Sequence, residues 1–177
     1  MKNKLVILLF LIYHFPAYSQ GKIDLSKSNN NQTNYGSNMQ GHTIQYENLD
    51  ELKKIILNVP DSIEQIVIED DNLKTLPKEL FKLNSVKYIQ IISKSITQID
   101  KGFIAMRNLE VIECILDSID FISPKIYKAK KLSRLNIDAK SFNPNLKIQL
   151  PVLVRNFEKR NKYFIVKVGD LLLETNI

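Results

Sequence analysis

The stretch that decides the fold runs IEQIVIEDDNLKTLPKELFKLNS (Ile63–Ser85), VKYIQIISKSITQIDKGFIAMRN (Val86–Asn108) and LEVIECILDSIDFISPKIYKAKK (Leu109–Lys131), three segments that start 23 residues apart (86 − 63, 109 − 86). Seven slots are apolar in each. The first segment fills them with Ile63, Ile66, Ile68, Leu73, Leu76, Leu80 and Leu83, the second with Val86, Ile89, Ile91, Ile96, Ile99, Phe103 and Met106. The third uses Leu109, Ile112, Cys114, Ile119, Ile122, Ile126 and Ala129. In a chain that is 44% hydrophobic, agreement at all these positions has a chance of roughly 3 in 10^8, so the repeat is a structural unit. Each opens apolar–x–x–apolar–x–apolar, the period-two ending of a short strand, and continues with apolar residues three to four apart, which suits a turn and a loose return. A unit this short buries its apolar stripe only against its neighbours.

At this point the residues resemble the leucine-rich repeat family. The first segment carries Asn72 before Leu73 and Leu76-Pro77, and the likeness extends to about Phe142. Asn72, Ser95, Ser118 and Ser141 occupy the slot whose side chain, in that family, bonds the adjoining turn; a hydroxyl can serve there with a shorter arm. The family proline appears only at Pro77, with Asp100 and Ser123 in its place later. The resemblance, with the export signal described next, implies a short exported bacterial member. Its expected fold is α/β: a leucine-rich-repeat solenoid with a parallel β-sheet on the concave face, an N-terminal capping helix and an irregular C-terminal cap.

Lys2 and Lys4, the apolar run Leu5–Tyr13 and Ala17-Tyr18-Ser19 have the layout of a secretory signal peptide over 1–19, cut before Gln20. The run is shorter than the ~20 apolar residues of a membrane span. The mature chain is therefore expected to be secreted or held in the cell envelope without an integral membrane span, and Gln20 in place of cysteine argues against lipid attachment. Residues 20–43, dominated by Ser, Asn, Gln, Gly and Thr, read as a disordered tether. It holds an Asn31-Gln32-Thr33 glycosylation triplet of little weight and a His42 with no ligand-spaced companion.

The repeat domain is expected over 44–177. Asn48 and Glu51 form a capping box, followed by Leu49, Leu52, Ile55, Ile56 and Val59 at helical spacing until Pro60. That predicts a helix over 48–58 closing the amino end, with the cap reaching 62 and the repeats spanning 63–142. A fourth repeat starts with Leu132, Leu135, Ile137 and Phe142, then fails at Asn145 and Gln149 beside Pro144 and Pro151. The C-terminal cap is expected over 143–177, helical over 152–161, with a terminal edge strand at Tyr163–Val168 and a Gly169-Asp170 turn into Leu171–Leu173.

Charge is uneven. The precursor carries 25 basic and 19 acidic residues, and the segment from Ile122 onward holds 12 basic and 4 acidic. Cys114 is the single cysteine, so no intramolecular disulfide can form; in a slot that is Ile in both earlier repeats, it reads as a buried hydrophobe. Two histidines, one in the signal and one in the tether, and five glycines with no phosphate-cradling loop leave no material for a triad, a zinc site or a nucleotide loop. The Glu110 and Glu113 pair, which could in principle work as acid and base, would stand on an open sheet where nothing excludes water. We expect no enzyme, no cofactor and no metal. Glu69-Asp70-Asp71 supplies hard oxygens but lacks the interleaved spacing of a calcium loop.

Alternate strand residues point away from the core. The candidate ligand-binding surface on the concave face is Tyr88, Ile92, Val111, Glu113, Ile115, Leu116 and Arg134, an apolar island within a charged rim. The competing reading places Ile92, Ile115 and Leu116 at strand ends, packed under adjoining loops. The expected function is a non-catalytic, exported binding module for a protein partner. Its alternative is an envelope- or surface-associated binder of polyanions (acidic glycan or nucleic acid) using the basic C-terminal half.

Overall fold

Ile66, Ile89, Ile112 and Leu135 stand side by side on neighbouring parallel strands, so the 23-residue spacing is the register of a sheet. The computed structural model describes residues 21–26 and 41–175. The signal peptide expected at 1–19 and residues 27–40 of the expected tether, with the glycosylation triplet, lie outside the described residues. In chain order the elements are β1 (Gly21–Ser26), β2 (Gly41–Tyr46), α1 (Leu49–Leu57), β3 (Gln65–Glu69), β4 (Tyr88–Ser93), β5 (Gln98–Ile99) and β6 (Val111–Ile119). They continue with β7 (Phe121–Ile122), β8 (Arg134–Phe142), α2 (Pro144–Glu158), β9 (Tyr163–Val168) and β10 (Leu171–Glu174). Eight strands form one mixed sheet in the order β10-β9-β8-β6-β4-β3-β1-β2, and β5 pairs with β7 apart from it. Among the described residues no helix is long and apolar enough to cross a membrane.

This architecture corrects the solenoid expectation. Among the described residues the fold is a mostly sheet α/β arrangement with two α-helices, and its sheet is not wholly parallel: β1 joins β3 antiparallel, β2 joins β1 antiparallel, and β10 folds back on β9. The amino side is closed by a hairpin, not by a capping helix. β1 and the first half of β2 arise in the stretch read as a tether, and in β1 Ile23 and Leu25 alternate with polar residues and bury completely or nearly so. Gly21 permits this pairing, because a Cβ there would lie 2.3 Å from the ring of its cross-strand partner Tyr46. α1 forms as its cap predicts: Asn48 Oδ1 accepts from the amides of Asp50 and Glu51, while Glu51 reaches back to the Glu47 amide. Instead of closing an open end, it buries Leu52 and Ile56 beside β2 and the turn at Leu80–Lys82.

The carboxyl end is regular rather than irregular. α2 begins at Pro144, well before the helix expected at 152, because proline at the first helical position loses only an amide that would be unsatisfied anyway, and Asn143 caps it by accepting from the Asn145 amide. Leu146, Leu150, Leu153 and Phe157 give it one buried stripe. Phe164 pairs with Leu135 at a separation of 29 residues (164 − 135), the longer connection making room for a helix where earlier repeats have a single 3-10 turn. β9 is an interior strand, not the edge. Gly169, at φ 54°, turns the chain into β10, which becomes the edge.

One side chain per repeat sets strand length. Asp70 Oδ1 accepts from the amides of Asn72 and Leu73, and 23 residues on, Ser93 Oγ accepts from those of Ser95 and Ile96. Such local bonds compete with the sheet ladder, and β3 and β4 stop there. The next two residues in that series are Leu116 and Ala139, which bury instead, and β6 and β8 run on to nine residues each. At the following slot, the Ser95 hydroxyl donates to the Asp71 carbonyl (2.5 Å) and Ser141 to the Asp117 carbonyl (3.2 Å), tying successive turns together.

The 3-10 turns at Leu80–Lys82, Lys101–Ala105 and Ile126–Lys128 line up with α2 over one face of the sheet. Phe81 meets Phe103 edge-to-face at 5.1 Å, and Gly102 allows that approach, since a Cβ would sit 2.5 Å from the Phe81 ring. Between these turns and the sheet lies the core, including Cys114 in the column Ile91–Cys114–Ile137. Burial, with Glu113's charge second, holds its thiol well above the usual range.

Candidate functional site: the sheet face opposite the helical layer

The helical layer covers one face, and the alternate side chains emerge on the other. Register aligns them in rows. The first is Gln65, Tyr88, Val111, Arg134 and Tyr163; the second is Asp24, Val67, Gln90, Glu113, Asn136 and Ile165. The third reads Lys22, Glu69, Ile92, Ile115, Asp138, Lys167 and Leu172 across seven strands. In that row an apolar pair is flanked on each side by opposite charges, Lys22 to Glu69 at 2.7 Å and Lys167 to Asp138 at 3.8 Å.

Six of the seven sequence-predicted site residues share this face. Tyr88 and Val111 are nevertheless buried, forming with Val67 a small cluster on which Ile92 packs. Glu113 is a hub: its carboxylate accepts from the Tyr88 hydroxyl (2.7 Å), Gln90 Nε2 (3.4 Å) and Asn136 Nδ2 (3.3 Å), binding three adjacent strands together. Burial, then the hydrogen bond to Glu113 and its negative charge, push the Tyr88 phenol far above its ordinary value, so it remains a donor. Arg134 is exposed and lies over the Tyr163 ring at 5.9 Å. Ile115 is 48% exposed.

Leu116 does not belong to the site. It is 3% exposed and packs in the main core. Strand parity explains this, since Leu116 follows Ile112 and Cys114 by even steps and Ile115 does not. The packing reading therefore applies to Leu116 and in part to Ile92, but not to Ile115. Tyr163, Ile165, Lys167 and Leu172 were missed as members of the face. The alternation of 163–168 already separates Ile165 and Lys167 from Phe164 and Val166; what the sequence did not show is that β9 and β10 continue the same sheet.

The three adjacent carboxylates considered for calcium go separate ways. Glu69 pairs with Lys22, Asp70 caps its turn, and Asp71 pairs with Lys94. Among the described residues no group of three or more His, Cys, Asp or Glu side chains is placed to hold a metal ion. Comparison with protein-family models, curated proteins and solved structures finds no match for this chain.

Proposed function

We propose that this chain is an exported, non-catalytic module that binds a protein partner on the sheet face opposite the helical layer. The observation that carries the reading is Ile115, 48% exposed beside half-buried Ile92 and between two ion pairs. An apolar centre inside a polar rim is how protein interfaces concentrate their binding energy. The Glu113 hub supports a binding rather than a chemical role. Its carboxylate is already engaged by three side chains of the protein, which stiffen the platform instead of offering a base.

The test compares wild type with Ile115→Glu in quantitative capture from the producing cell's surroundings at high salt. A specific protein enriched on wild type and reduced at least tenfold on the variant, with unchanged thermal unfolding, supports the reading. Equal capture by both proteins refutes it.

A further inference from the structure

Parallel strands gather their entry loops at one end of a sheet, and here those loops are basic. The connections into β8 and β9 carry Lys128, Lys130, Lys131, Lys159 and Arg160, all exposed. Several bonds hold them together. Tyr163 donates its amide to the Ser133 carbonyl (2.7 Å), and Lys131 Nζ reaches Asn108 Oδ1 on the preceding turn (2.7 Å). Arg160 stacks on Tyr127 at 5.2 Å. Buried Lys162 donates to the Ala129 carbonyl (2.5 Å), pinning one basic loop on the other. Its own pKa is pushed down by burial first and by Arg160's charge second. Among the described residues none of the five exposed cations makes an ion pair; Glu158 is the acid nearest in sequence.

We propose that this ridge at the strand-entry end binds an acidic glycan. Two loops on neighbouring strands roughly 4.8 Å apart bring these cations together, suited to the successive carboxylates or sulfates of an acidic chain. Nucleic acid fits less well. Single strands are held by stacking bases on exposed aromatic faces, and both aromatic rings here, Tyr127 and Tyr163, already carry the protein's own guanidiniums. Duplex readout needs a helix or ribbon that enters a groove, and this end offers loops, a three-residue 3-10 turn and only the last turn of α2, whose buried stripe packs it on the protein.

Titration of the full chain with a heparin-derived octasaccharide tests this. Taking four contacts and the salt dependence of single-stranded polyanions, affinity should fall about 50-fold between 50 and 200 mM salt. Lys128→Gln/Lys130→Gln/Lys131→Gln should bind at least tenfold more weakly. Lys74→Gln/Lys78→Gln/Lys101→Gln, an equal charge change on exposed lysines elsewhere, should stay within twofold of wild type. No binding at 50 mM salt, equal losses in the two triple variants, or tighter binding of an oligonucleotide matched for anionic groups would overturn the proposal.

Discussion

Replacing Leu116 by Ala removes three carbons from a side chain that is 3% exposed in the main core. At about 0.8 kcal/mol per buried carbon the transfer loss is ~2.4 kcal/mol. The cavity left behind adds to it, because the neighbours relax only in part, which places the total at about 3–4 kcal/mol, inside the ~2–5 kcal/mol seen for such changes. Ile115, the adjacent residue, is 48% exposed on the opposite face. Ile115→Ala should cost no more than about 1 kcal/mol, mostly through lost strand propensity and its contact with Ile92. For a domain of this size, with a shift of roughly 2–4 °C per kcal/mol, Leu116→Ala should lower the melting temperature by about 6–16 °C and Ile115→Ala by about 4 °C or less. Thermal unfolding followed by circular dichroism, checked by urea midpoints, reads both. Equal losses, or the larger loss at Ile115, would refute the assignment of the two faces.

Three further outcomes are expected. Ser93→Ala deletes the acceptor for the Ser95 and Ile96 amides and the donor to the Leu73 carbonyl; by analogy with capping losses it should cost about 1–2 kcal/mol in urea unfolding. Gly102→Ala drives a methyl into the Phe81 ring and should destabilise by about 1–3 kcal/mol, with most of the loss recovered by Phe81→Leu in the same chain. Raising pH should weaken the fold above about 10, the phenol's unfolded value. Tyr88 is held protonated in the native state by burial and by Glu113, so the stability tied to it is complete below pH 10 and declines as the unfolded phenol ionises. Urea midpoints between pH 8 and 11 should fall less steeply for Tyr88→Phe than for wild type.

Where chemistry repeats, the chain was readable: the column Ile66–Ile89–Ile112–Leu135 and the capped start of α1 follow from spacing and one asparagine. The architecture around that column was not. β1 hides beside a Ser- and Asn-rich run because two buried residues, Ile23 and Leu25, suffice for a strand that borrows its partners from β3. Pro144 reads as a breaker, yet at a first helical position it is harmless, so α2 was placed too late. Leu116 was assigned to the wrong face because its equivalents, Asp70 just past the end of β3 and Ser93 at the end of β4, close a turn with their polar atoms. A leucine closes no turn, and the strand continues with its parity intact. Edge strands and long-range pairings, which turn a parallel stack into a mixed sheet, depend on contacts between distant segments and leave no local signature.

Methyl-labelled isoleucine and leucine, observed by NOESY with a soluble paramagnetic agent, test the division of the sheet into a filled and an open face. The Ile115 δ1 methyl should show a cross-peak to Ile92 and broaden readily, while the Leu116 methyls contact core methyls and stay shielded. Cross-peaks from Ile115 to Ile112 or Leu135 across the core, or Leu116 methyls broadened by the agent, would contradict it.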